Sequence, residues 1–377
     1  MSADIRKAIR RVTGSVVALG FAATFSTAAL AVDPVNIRIA SDTAGVPHPA
    51  AIAMELFAEK VKEAIPGSEV RTYFASSLYK IPEAVEAMTE GNLEMTWGQF
   101  GKSAQVDPYM SVVVGPMLLT TAGAVNAFDD TKTFRMLVDR FDKVHKVKLF
   151  GSAHLSFYMG AGGRQRLISP DDFAGKKIRS MGPAENAMLS AFGASPTTMA
   201  FGDVPSALQT GVIDGLLTSL GGFNTTKDQA PFFTVAGING IVGDYYWVGA
   251  SKKWWNGLKD DQRAILEPLI IGEMLPWAKR ANWCNDKQLI DRFGTTDPTK
   301  PGIYILKPEE NQKLAATMGT ATQDWIKKNT PKGAHQWVDT FVKEAKALSA
   351  AHPPGTSWLE ETDCKQLQPY FAKFKKK

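Results

Sequence analysis

The chain has 377 residues, of which 44% are hydrophobic and 21% charged, and its formal net charge is +5. That length supports two folded domains, and the charge is too small and too scattered to build a nucleic-acid-binding face. Two cysteines, Cys284 and Cys364, and five dispersed histidines lack the spacing of a metal site.

Arg6, Lys7, Arg10 and Arg11 precede an apolar run from about Val12 to Phe25, and Ala29-Leu30-Ala31 follows it. This is the order of a secretory signal peptide. The run is shorter than the roughly 20 residues a membrane span needs. We expect cleavage after Ala31 and export of a chain carrying only +2. Export permits a disulfide, while the sequence leaves open whether Cys284 and Cys364 pair or stay free.

"VNIRIA" (Val35–Ala40) alternates as a half-buried strand does. A helix follows up to Pro66-Gly67, then the strand "EVRTYF", a helix with Pro82 in its first turn and Gly91 as its stop, and the strand "LEMTW". This β-α-β-α-β order predicts an α/β domain with a largely parallel sheet. "VKLFGSA" reads as a further strand near a crossover. "GAGGRQR" (Gly160–Arg166) reads as a surface turn.

A second α/β unit follows: strand "KKIRS", helix "AENAMLSAF" closed by Gly193, short strand "TTMA", helix "DVPSALQTG" with Asp203 as N-cap, and strand "VIDGLLTS". Phe232 to Ala250 is apolar and aromatic, and we expect long strands returning to the first domain. A helical pattern begins at Asp260, where Pro268 and Pro276 should kink it. The boundaries expected are 1–31 for the leader, 32–155 with 245–283 for domain I, and 156–244 with 284–377 for domain II. Domain II would include the C-terminal helices.

No nucleophile elbow, phosphate loop or His-Glu-x-x-His occurs. Asp171-Asp172 and Asp129-Asp130 read as solvated caps. A two-domain exported chain of this kind suggests a binding protein with its ligand between the domains.

"ISPDDFAGKKIRS" followed by "FGASPTTMAFGDVPSALQTGVIDG" resembles the substrate-binding proteins of TRAP transporters, the DctP-like family. "EAVEAMTEGNLEMTW" and "SKKWWNGLKDDQRAILEP" are similar to further words of that family. The resemblance implies a two-domain α/β periplasmic binding protein fold with hinge strands and a long helix crossing both domains. It implies a periplasmic protein, not an enzyme and without a cofactor, that hands a small organic carboxylate to a membrane permease. It also implies that Arg179, in the Lys-Ile-Arg word, clamps the ligand carboxylate, which suits a planar guanidinium. Phe201, Thr218, Ser219, Gln99, Trp97 and Tyr245 fall at or near pocket positions. Met159 stands where many members carry a second basic residue. That departure suggests a pocket with fewer charges and a monocarboxylate ligand with an apolar or aromatic body. An ABC-type binding protein, or an exported enzyme using Asp171, Asp172 or His154, is the alternative.

Overall fold

The computed structural model describes residues 32–374; the leader and its expected cleavage point lie outside them. Strands β1 (Asn36–Ser41), β2 (Glu69–Tyr73) and β3 (Met95–Gln99) alternate with helices Pro49–Ala64 and Ile81–Glu90. The first helix buries Met54, Phe57, Ala58 and Val61 on one face, as apolar residues at helical spacing do. β1 pairs in parallel with β2 and β3. β4 (Val147–Ala153) forms the far edge. β10 (Tyr246–Ser251) lies antiparallel between β3 and β4, completing a five-stranded sheet ordered β2-β1-β3-β10-β4.

The second sheet has six strands, ordered β11-β9-β5-β8-β6-β7. They are β5 (Met159–Gly163), β6 (Lys177–Ser180), β7 (Ser195–Thr198), β8 (Gly215–Ser219), β9 (Phe232–Val235) and β11 (Gly302–Ile305). β5 runs antiparallel to both neighbours, while β6 is parallel to β7 and β8. The chain therefore passes between the sheets at residues 154–158 and again at 236–245.

Two expectations from sequence are corrected here. Gly160–Gly163 is no surface turn but part of the buried central strand β5. A Cβ at Gly160 would lie 2.0 Å from the Thr234 carbonyl oxygen, so glycine serves close strand approach. Nor does Phe232–Ala250 return as continuous strands to the first domain. β9 stays in the second sheet and β10 joins the first, and the turns between them include Gly243 at φ 59°.

Asp260–Phe293 is helical throughout, with one wider π turn at Leu269–Met274 between Pro268 and Pro276. That turn absorbs the irregularity the prolines impose. The N-terminal part of the stretch Leu275–Phe293 packs on helix Pro49–Ala64 and β4, and its C-terminal part on helix Leu220–Thr226 and β11. It thus bridges both sheets. From this helix Asp286 Oδ2 accepts hydrogen bonds from Ser156 Oγ (2.7 Å), Phe157 N (2.7 Å) and Tyr158 N (3.1 Å). These tie the first crossing down.

The C-terminal segment divides between the sheets. Leu314 and Met318 of helix Pro308–Met318 pack with Phe173 and Ile178 beside the second sheet. Ala334, Val338, Phe341 and Ala345 of helix Lys332–Ala351 join Phe100, Phe128 and Phe134 beside the first. The expectation that all of 284–377 belongs with the second unit does not describe this packing. An amphipathic stripe states that it will be buried, not against what. Cys284 and Cys364 form a disulfide. Among the described residues no helix is long and apolar enough to cross a membrane.

Candidate functional site

Four strands end at one place. Asp42 follows β1, Gln99 ends β3, Ser180 ends β6 and Ser219 ends β8. The carboxyl ends of parallel strands leave a crevice where ligands bind in open α/β sheets. Here two such crevices face each other. Asp42, His48, Gln99, Lys102 and Tyr246 line the cavity from the first sheet's side, and Arg179, Met181, Phe201, Thr218 and Ser219 from the second's. The cavity is narrow, about 40 Å³.

Arg179 sits inside because β6 alternates: Ile178 enters the apolar core and Arg179 points the other way. Only 2% of it is exposed. Its Nε and Nη2 donate to the Met199 carbonyl (3.1 and 3.0 Å), and Nη1 donates to the Leu217 carbonyl (3.0 Å). A guanidinium has five N–H donors, so one on each terminal nitrogen remains without a protein partner. The Phe201 ring lies 5.9 Å from the guanidinium carbon. Burial lowers its pKa to about 10, opposed mainly by Glu185, so it stays charged at neutral pH. The result is a fixed cation with two adjacent donors, a shape that suits a carboxylate.

Of the residues expected at a pocket, Arg179, Phe201, Thr218, Ser219 and Gln99 meet here. Ser219 Oγ also accepts from Gly222 N (3.1 Å), capping the helix that follows. A Cβ at Gly222 would lie 2.0 Å from Thr218 Oγ1, so that helix can approach the site only because it carries glycine there. Trp97, Met159 and Tyr245 do not line the cavity. Trp97 and Met159 are packed in separate apolar cores, and Tyr245 stacks on Phe128 at 4.6 Å. Alternation along β10 places its neighbour Tyr246 at the site instead.

Arg164 and Arg166 serve structure. Arg164 Nη2 donates to the Leu208 carbonyl (2.6 Å) and Arg166 Nη1 to the Phe233 and Gly302 carbonyls (2.6 and 2.9 Å). Asp172 accepts from Ile168 N and Ser169 N, and Asp214 from Lys177 N. Asp203 makes no side-chain cap, contrary to expectation. His154 is buried with neither ring nitrogen hydrogen-bonded.

Sequence reasoning missed Asp42, His48, Lys102 and Tyr246. Lys102 Nζ donates to Asp42 Oδ2 in a largely buried ion pair. The expected scarcity of charge is therefore incorrect: a second cation is supplied by the first sheet's side. No local word marks these residues: the parallel pairing of β1 with β3 in the folded sheet brings their C-terminal ends together. His48 caps helix Pro49–Ala64, its Nδ1 accepting from Ala50 N (3.2 Å). Burial drives its pKa down to about 4, against the pull of Asp42. At neutral pH the ring is uncharged and its proton sits on Nε2.

Behind the cavity lies a carboxyl pair. Asp244 accepts from Gly101 N (3.1 and 3.2 Å) and Tyr245 N (2.7 Å). Glu185 is fully buried with neither oxygen hydrogen-bonded. Burial raises Asp244 to about 7 and Glu185 well above its usual range, each also feeling other charges nearby. Asp286 likewise rises to about 7 through burial. These folded-state values exceed the unfolded ones near 4. Folding therefore takes up protons, and this stabilisation is full below about pH 4 and lost as pH rises through about 7. His48 and His154, both lowered by burial, act in the opposite sense, chiefly below about pH 6.5. Urea midpoints should thus correspond to a stability lower at pH 8 than at pH 6.5 by about 1 kcal/mol. Asp244→Asn should shrink that difference. An unchanged difference in the variant would mean that Asp244 is ionised across the whole range.

Two facing α/β halves, a cavity between their strand ends and a buried cation with spare donors define a solute-binding protein. The chain belongs to the DctP family of bacterial extracellular solute-binding proteins, family 7, whose family model matches residues 40–329. It is 29% identical over 273 residues to the C4-dicarboxylate-binding periplasmic protein DctP of Rhodobacter capsulatus, covering 68% of this chain and 77% of that one. Its fold matches a sugar acid binding protein from Advenella mimigardefordensis in complex with galactonate. The TM-score is 0.73 at 19% identity, over 84% of this chain and all of the other. A TRAP periplasmic solute binding protein from Sulfurospirillum deleyianum with bound succinate matches at TM-score 0.72 and 21% identity, again over 84% of this chain and all of the other.

Proposed function

We propose that the chain captures a small organic carboxylate in this cavity after export, with Arg179 as the anion clamp, and delivers it to a TRAP-type membrane permease. The observation that carries the reading is the pair of N–H donors left on a guanidinium whose other donors hold it rigidly against two backbone carbonyls. The relatives include binding proteins for C4-dicarboxylates, ectoine and sialic acid, which supports an organic-acid or zwitterionic solute.

The two sheets with their helices would act as lobes that close on the ligand. Residues 154–158 and 236–245 would be the hinges. Membership of the DctP family sets aside the ABC-type alternative. A catalytic reading lacks support: Asp172 is spent on backbone caps, and neither ring nitrogen of His154 is hydrogen-bonded to a group that could orient it.

The test is a thermal-melting screen across a carboxylate library, followed by calorimetric titration. A ligand of the folded state raises the melting temperature by mass action. One acid should do so strongly, bind one to one and be recovered unchanged. Turnover, or no response to any acid, overturns the reading.

A further inference from the structure

The first sheet's side of the cavity holds polar atoms that the protein itself leaves unpaired. Gln99 is 1% exposed, and neither its Oε1 nor its Nε2 has a hydrogen-bond partner. Asp42 is 7% exposed; Lys102 holds its Oδ2, the Tyr246 hydroxyl lies beside the same carboxylate, and its buried Oδ1 accepts no hydrogen bond of ordinary geometry. The Nε2–H of His48 is a further donor on the same wall. A buried amide or carboxylate oxygen without a partner costs about 1–3 kcal/mol, so these atoms are matched to groups on the solute. Asp42 Oδ1 can only accept, so a donor on the solute completes it beside the Tyr246 hydroxyl. Gln99 can both donate and accept, which a hydroxyl answers with one group.

Charge decides the rest. Arg179 and Lys102 face the cavity as cations and Asp42 as an anion, so its lining carries one net positive charge. A monoanion cancels it. A zwitterionic amino acid leaves a cation uncompensated, and a dicarboxylate leaves an anion and brings its second carboxylate against Asp42. Buried uncompensated charge is disfavoured. The narrow cavity, about 40 Å³, favours a body of few carbons.

We propose that the solute is a short hydroxy-monocarboxylate. Its carboxylate sits on Arg179, and its hydroxyl donates to Asp42 Oδ1 while exchanging hydrogen bonds with Gln99. Gln99 and Asp42 then determine specificity. This rests on the carboxylate reading above and replaces the apolar body expected from sequence with a polar one. A site that pairs a solute hydroxyl strongly rejects the analogue lacking it, because its own groups are then left unpaired.

The experiment is calorimetric titration of the chain from Val32 with matched acids: 2-hydroxypropanoate against propanoate, 3-hydroxybutanoate against butanoate, and succinate and alanine as charge controls. At least one hydroxy acid should bind roughly 10- to 100-fold tighter than its deoxy partner, and tighter than both controls. Gln99→Met, close in volume, should bring the hydroxy-to-deoxy affinity ratio towards 1. Should that variant fail to melt cooperatively, Asp42→Asn supplies the same readout. Hydroxy and deoxy acids within two-fold of each other, or succinate or alanine binding tightest, would overturn this inference and leave the Arg179 clamp standing. If no acid binds at millimolar concentration, both readings fall.

Discussion

Arg179→Ala should lose solute binding by a factor of roughly 100 to 1,000 or more, since removing one partner of a buried ion pair costs about 3–5 kcal/mol. Arg179→Lys should recover only part of this, because an ammonium cannot present two coplanar donors. The fold should also register the change. The guanidinium makes three hydrogen bonds to the Met199 and Leu217 carbonyls and is 2% exposed. Its loss leaves both acceptors to water in the cavity, at about 1–2 kcal/mol. Calorimetric titration with the cognate acid, alongside urea unfolding, separates the two effects. Affinity within a few-fold of the parent chain would remove Arg179 from the site. Lys102 would then be the candidate clamp, because Arg164 and Arg166 are committed to backbone carbonyls elsewhere.

The double variant Cys284→Ser, Cys364→Ser should lose about 2–4 kcal/mol of stability, the usual range for a cross-link. The bond spans 80 residues of sequence, and chain-entropy reasoning sets about 4.5 kcal/mol as the contribution of a loop that long. It joins the helix bridging both sheets to the C-terminal turn Cys364–Leu367. Neighbouring Leu367 and Phe371 pack in the first sheet's core. Urea midpoints of oxidised parent and variant measure the effect. Solute affinity should change little, because neither cysteine lines the cavity. A midpoint equal to that of the parent would show that packing alone holds the C-terminal segment in place.

Much of the site was legible in local words. Arg179 stood out as a charge inside an apolar strand, and the family's Lys-Ile-Arg word pointed to its role. Gln99 and Thr218-Ser219 followed from the resemblance to the family, at positions matching pocket residues of its members. Aromatic residues were less readable. Tyr245 and Tyr246 are adjacent and chemically identical, yet one stacks on Phe128 and the other faces the cavity. The face each takes depends on where β10 enters the sheet. Trp97 lies two residues before Gln99 on the same strand, but strand ends face the cleft and strand middles face the core.

The sequence by itself determined the alternation of strands and helices, the caps and stops that bound them, and the family. These depend on periodicity, on glycine and proline backbone limits and on short words, all of which act over a few residues. Only the tertiary structure decided that Gly160–Gly163 is a buried strand and that helix Lys332–Ala351 covers the first sheet. It alone paired Cys284 with Cys364, and it alone set Lys102 and Asp42 across from Arg179. Each of these joins residues tens of positions apart. An apolar stripe, a thiol or a charge specifies that it needs a partner, while the stacking of the sheets and the register of their strands choose which one it meets.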